Sequence, residues 1–377
     1  MGVTKVRFFL SLSALLLLLV ACPNPFYDRV RELVDGAKAP GVVAPGSTKP
    51  IFLYSLDISG AGVDVFSLDP ATGALSHTST FGFLAAPAGM AVNSIGTLMF
   101  VTAPAVSQVW GFTIDPLTGA LTSTGMPGTV TNPGAVSVRK SNDAIYVADP
   151  VGGTIYAWAL AGSGALTDLG PVSAGTATVA LVSDVNSKFL YAATGGGGFI
   201  FGYSFTAAGI PAIVPGSPFA ASGSPTYVTI DPAGAHLYES DDVTGLVRFW
   251  NINSVTGSLT PTSGIPYSGV TTNPEKMAID PAGKYLYVTD SVLNQVVMAR
   301  IAADGTLTTG GWIYPTGAHP KGVFVDPSGK FVVVANSASD SFSVFSLDPA
   351  TGFLTPAGTY PSALSDPEAI LITGTHE

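Results

Sequence analysis

The sequence predicts an all-β fold: a seven-bladed β-propeller of four-stranded antiparallel blades, its ring closed by one C-terminal plus three N-terminal strands. Three observations lead there. A turn of the form Asp-Pro-x-Thr-Gly or a shortened copy recurs at Gly73, Gly119, Gly164, Gly209, Gly257, Gly305 and Gly352, spaced 46, 45, 45, 48, 48 and 47 residues apart. A period in the mid-forties marks a propeller or solenoid array. A second turn, Asp-Pro-x-Gly, precedes the turns at Gly257, Gly305 and Gly352, as Asp231-Pro232-Ala233-Gly234, Asp280-Pro281-Ala282-Gly283 and Asp326-Pro327-Ser328-Gly329, with looser versions from Asn93, Lys140 and Asp184. Lastly, no window from Ile51 onward sustains helical apolar spacing, whereas β-branched and aromatic residues mark short strands.

From the start of the chain, residues 1–21 form a targeting segment to be set apart from fold reasoning. Lys5 and Arg7 supply its positive end, and Phe8 to Val20, 13 residues, its apolar stretch. That stretch is too short to span a bilayer as a helix. It ends in Leu19-Val20-Ala21-Cys22, which resembles a bacterial lipobox. The expectation is a lipoprotein signal peptide with acylation at Cys22, which would hold the chain to a lipid bilayer. The chain is then exported and lipid-anchored in the bacterial cell envelope, periplasmic or at the outer surface. Cys22 is the single cysteine, so no intrachain disulfide is possible and packing alone must hold the domain. Residues 22–50 hold five prolines after the cysteine, no strand periodicity, and read as lipid anchor and flexible tether.

Residues 51–377 are the propeller. Each unit is two hairpins: Pro sets φ where the chain turns, and Gly takes the positive φ needed to return. Seven units of about 46 residues occupy all of 51–374. Ile51-Phe52-Leu53-Tyr54 aligns with the second strand of the unit, and the missing first strand is at the far end, Pro367-Glu368-Ala369-Ile370-Leu371-Ile372. Such closure removes free sheet edges. The single domain is expected to be monomeric.

Composition narrows the function. Charged residues make up 11% of the chain, as expected for blades packed on both faces, and the net charge is −10. No basic stripe exists to neutralise phosphates, so nucleic-acid binding is excluded. Gly195-Gly196-Gly197-Gly198 is followed by a strand rather than a helix, so it is a blade turn and not a phosphate cradle. No cofactor is expected. Trp110, Trp158, Trp250 and Trp312 read as packing between blades.

Two motifs recur together. One is Asp-Pro-x-Gly-Lys-x-Leu-Tyr-Val, running from Asp280 to Val288. The other is Val-Phe-x-Leu-Asp-Pro-x-Thr-Gly-x-Leu, running from Val65 to Leu75 and again from Val344 to Leu354. The pair resembles the lactonase family of seven-bladed propellers, close to YVTN-repeat surface proteins. The resemblance covers essentially 51–374. It implies a 6-phosphogluconolactonase-like, metal-independent hydrolysis of sugar lactones, with a His-x-His pattern after an inner-strand proline and arginines in the pocket. No His-x-His occurs here; the histidines are His77, His236, His319 and His376.

The candidate catalytic residues are therefore Glu275, Lys321, Glu368 and His319. The three charged residues follow inner-strand prolines in three consecutive blades, and His319 precedes one. Glu275 or Glu368 suits a base for water, and Lys321 or His319 an electrophilic partner for a developing oxyanion; a solvated rim is the plainer account. A second ring, Asp57, Ala103, Asp149, Thr194, Asp241, Asp290 and Asn336, ends the second strands. These side chains suit turn capping, with Glu239, Asp241 and Asp242 as weak candidates for a hard cation. Three functions follow: a surface-exposed module binding a protein or glycan at the funnel mouth, a lactone hydrolase with a diverged site, or a scaffold subunit of an envelope assembly.

Overall fold

The computed structural model describes residues 50–82, 86–221, 223–262 and 271–373. The expected signal segment, Cys22, the expected tether up to residue 49, most of the 262–275 loop and His376 lie outside them. Among the described residues, no helix is long and apolar enough to cross a membrane.

The strands form seven antiparallel sheets, one per blade. In the closing blade the C-terminal strand Pro367–Thr373 is innermost, followed by Ile51–Asp57, Gly62–Leu68 and Leu75–Gly82. Leu53 pairs with Ile372 on one side and Phe66 on the other, in the strand order the sequence predicts. We number this blade 1 and the rest in chain order. Blade 4 departs from four strands. Its outer edge is split into Pro211–Ile213 and Phe219–Ala220, both paired to Phe199–Phe205. Pro215 and Pro218 lie between the two pieces, and proline cannot donate to a ladder.

Apolar residues are buried between blades rather than within them. The seven core clusters each join two neighbours; one contains Tyr285, Tyr287 and Met298 of blade 6 with Val332, Val334 and Phe345 of blade 7. Another contains Val333 and Phe342 of blade 7 with Leu53, Phe66 and Ile372 of blade 1, which seals the ring. The second strands are therefore covered on both faces. Leu98–Ala103, Phe189–Thr194 and Phe331–Asn336 are buried at each position, which explains their continuous apolar runs and the low charge of the chain.

The recurrent glycine turns serve this packing. Tyr54, Tyr146, Tyr191, Tyr238 and Tyr287, at one position of five second strands, each donate a hydrogen bond to the carbonyl of the turn glycine in the next blade. Gly352 shows why no other residue serves: its φ is +78°, and a Cβ there would lie 2.4 Å from the Tyr285 ring.

Candidate functional site

The inner strands of blades 1, 4, 5, 6 and 7 start with a bulge. In blade 6 the register slips between Pro274 and Met277, and in blade 7 between Pro320 and Val323. The residues inside these bulges leave the regular ladder and are re-aimed. They include Glu275, Lys276 and Lys321, and Glu368 follows Pro367 at the matching irregularity of blade 1.

Two of the three charged residues picked out by blade alignment meet directly. The Lys321 ammonium pairs with the Glu368 carboxylate, both side chains about one quarter exposed. Glu275 does not join them. Its Oε1 accepts from Ser291 Oγ at 3.0 Å, and its carbonyl accepts from Ser240 Oγ of blade 5 at 2.7 Å. The third partner is instead Lys276, which the sequence reading passed over. Its Nζ reaches past blade 7 to donate to the Glu368 carbonyl at 2.8 Å. Burial pulls the Lys276 ammonium down to about 8; Glu275 opposes the shift and repulsion from Lys321 adds to it. The signal in the sequence was the length of the bulge, which leaves two residues between Pro274 and the apolar run.

His319 stands just outside this group. Its Nδ1 lies 3.0 Å from Ser337 Oγ, and that hydroxyl donates back to the His319 carbonyl. With Ser59, Lys321, Ser337, Ala338, Asp340, Ser365 and Asp366 it lines an open cleft of about 450 Å³ between blades 7 and 1. His319, Asp340 and Asp366 all have positive φ, at 55°, 44° and 64°. Lys321 is shared by the cleft and the ion pair.

The acidic spot of blade 5 is an internal ion-pair network. Arg248 Nη1 lies 3.0 Å from Asp241 Oδ2 and 3.4 Å from Glu239 Oε1, and Trp250 Nε1 donates to Glu239 Oε2 at 3.0 Å. Both carboxylates are fully buried. Burial raises Glu239 despite these partners; for Asp241 burial is outweighed by hydrogen bonds from Thr244 and Arg248, and its carboxyl is held low. Asp242 does not join the network, and no group of three or more potential metal ligands forms among the described residues. Of the three weak cation candidates, Glu239 and Asp241 are thus held by Arg248 in a salt-bridged core. Asp149, Asp241 and Asp290 cap their own turns by accepting two backbone amides each. Gly195 to Gly198 form the turn before Phe199–Phe205, and Trp158 and Trp250 pack between blades, as expected.

Seven closed blades with this motif order are matched at the level of sequence as well. Residues 53–370 match the profile of the family described as "Lactonase, 7-bladed beta-propeller". The chain belongs to this family. Among solved structures, this lactonase-family propeller is similar to a candidate 6-phosphogluconolactonase from Bacteroides uniformis, with TM-score 0.76 and 19% identity over 87% of this chain and 100% of the other. The corresponding protein from Bacteroides fragilis gives 0.76 and 19% over 88% and 100%. The periplasmic gluconolactonase of Pseudomonas aeruginosa gives 0.74 and 18% over 86% and 99%. At these identities the likeness establishes the fold. No curated protein matches in sequence.

Proposed function

We propose that this propeller hydrolyses a lactone at its funnel mouth, and the observation that carries the reading is Lys276. An amine whose ammonium loses its proton near pH 8 is a competent base at mildly alkaline pH. Anchored by its bond to the Glu368 carbonyl, the neutral amine keeps a lone pair for water. Water attacks the lactone carbonyl carbon and gives its proton to Lys276. Lys321, at the edge of the cleft, holds the oxyanion. When the ring C–O bond breaks, the Lys276 ammonium returns the proton to the departing oxygen. The product is an open hydroxy acid, which ionises in water.

The charge at the mouth favours an unphosphorylated substrate. Lys276 and Lys321 are offset by Glu275 and Glu368, so no surplus of cations awaits a phosphate dianion.

A second reading, a protein- or glycan-binding module, is favoured by one observation: Glu275 and Glu368 are already engaged by Ser291 and Lys321. For location, we propose export and acylation at Cys22, on the strength of the lipobox-like sequence; labelling with a radioactive fatty acid that survives Cys22→Ser would remove that proposal.

A pH-stat assay with gluconolactone, its 6-phosphate and muconolactone tests the main reading. Turnover above the buffer rate, lost in Lys276→Met and Lys321→Ala, supports it. Buffer rates on all three lactones from folded protein leave the binding module.

A further inference from the structure

The turn-capping pattern at the ends of the second strands is broken in blade 1. Asp57 does not cap its own turn. It faces a second carboxylate, Asp64, and both residues are 0% exposed. Ser55 Oγ donates to Asp57 Oδ1 at 2.6 Å. Between the carboxylates sits Ser362 Oγ, 3.0 Å from Asp57 Oδ2 and 3.3 Å from Asp64 Oδ2. Ser362 belongs to the segment that leads into the closing strand. Two further groups of that segment, the Ala363 and Leu364 amides, donate to Asp64 Oδ2 at 2.9 and 2.8 Å. Leu364 seats on Gly60 and Gly62, where a Cβ would lie 2.6 and 2.5 Å from its side chain. The next residues, Ser365 and Asp366, are a wall of the cleft beside Lys321.

We propose that the segment Ser362–Asp366 is a pH-sensitive latch: a proton on Asp57, donated toward Asp64, clamps it, and loss of that proton releases the cleft wall. Asp57 has only the Ser55 and Ser362 hydroxyls as donors, while Asp64 has the Thr80 hydroxyl and the loop amides. Two buried anions side by side repel, whereas a protonated Asp57 can donate to Asp64 and leave one charge for the loop amides. Burial, with the Asp64 charge adding to it, pushes Asp57 up to about 7.

The charged groups around the pair are few. From the outer strand, His77 Nε2 lies 3.5 Å from Asp64 Oδ1, where the Thr80 hydroxyl also donates. From the segment itself comes Asp366, whose carboxylate accepts from Ser59 Oγ at 2.8 Å. From blade 7, Asp340 accepts the Asp366 amide at 2.8 Å. None places a fixed cation between the two carboxylates, so the proton is what relieves their repulsion. The latch is independent of the lactonase reading and holds for any occupant of the cleft.

Hydrogen exchange of the Ala363–Leu364 peptide in the full chain, corrected for intrinsic rates, tests it. Protection in the wild type is expected to fall about tenfold between about pH 6 and about pH 8.5, roughly one pK unit of coupling. Asp57→Asn, whose amide mimics the protonated acid, should keep protection high and flat. Should that variant fail to fold, Ser362→Ala is read instead: its protection is expected to be low already at about pH 6. Unchanged wild-type protection across the range overturns the latch, as does an equal loss in Asp57→Asn, or a Ser362→Ala profile that follows the wild type.

Discussion

The Tyr287 phenol donates to the Gly352 carbonyl across 2.8 Å, 65 residues away in sequence and one blade further round the ring. The same bond recurs from Tyr54 to Gly119 and from Tyr191 to Gly257. It ties the inner layer of one blade to the turn of the next, so stability is passed around the ring by repeated small terms. Tyr287→Phe orphans a buried carbonyl and should cost about 1 kcal/mol. Calorimetry should register it as a melting point lowered by about 2 °C.

On the proposed lactonase reading, Lys276 sets a pH dependence for activity as well as for stability. Lactone turnover should rise through about pH 8 as the base becomes neutral. Because the folded state holds this proton less tightly than the unfolded one, Lys276 destabilises the fold below about pH 8, and that penalty fades as pH rises toward the free-lysine value of about 10.4. Lys276→Met should therefore melt above the wild type at neutral pH, with the gap closing by about pH 10.5. Paired melts across that range check the sign.

Arg248 neutralises Glu239 and Asp241 in a buried setting. Removing it by Arg248→Ala leaves uncompensated charge and should cost about 3–5 kcal/mol in urea unfolding. Chelator treatment should leave the unfolding midpoint of the wild type unchanged, since arginine and tryptophan nitrogens occupy the oxygens a cation would need.

The closing strand pairs with Phe52 to Asp57 and contributes Ile370 and Ile372 to the core joining blades 7 and 1. Ending the chain at Asp366 exposes the edge of Ile51–Asp57 and opens that core. The expected outcome is loss of the cooperative melt and aggregation through the free edge; a truncated chain with a wild-type melting curve would disprove the closure argument.

The repeat alone was enough to read the architecture. Equal spacing of turn glycines gives the number of blades, and the mismatch between the two ends gives the closure, because both depend only on which residue falls in which strand. It also put Lys321 and Glu368 side by side. What the period could not supply is where a side chain goes once it leaves the ladder. Glu275 occupies the aligned position, yet Ser291 takes its carboxylate; Lys276, one residue on, crosses to blade 1 because the bulge turns it there. Asp57 looked like one more turn cap, and its partners at Asp64 and Ser362 are seven and 305 residues distant. Local sequence determined strands, turns and order, since those rest on backbone geometry repeated unit by unit. The site and the latch were decided by tertiary structure, where closing the ring brings polar groups from unrelated positions into one buried place and their mutual charge sets their chemistry.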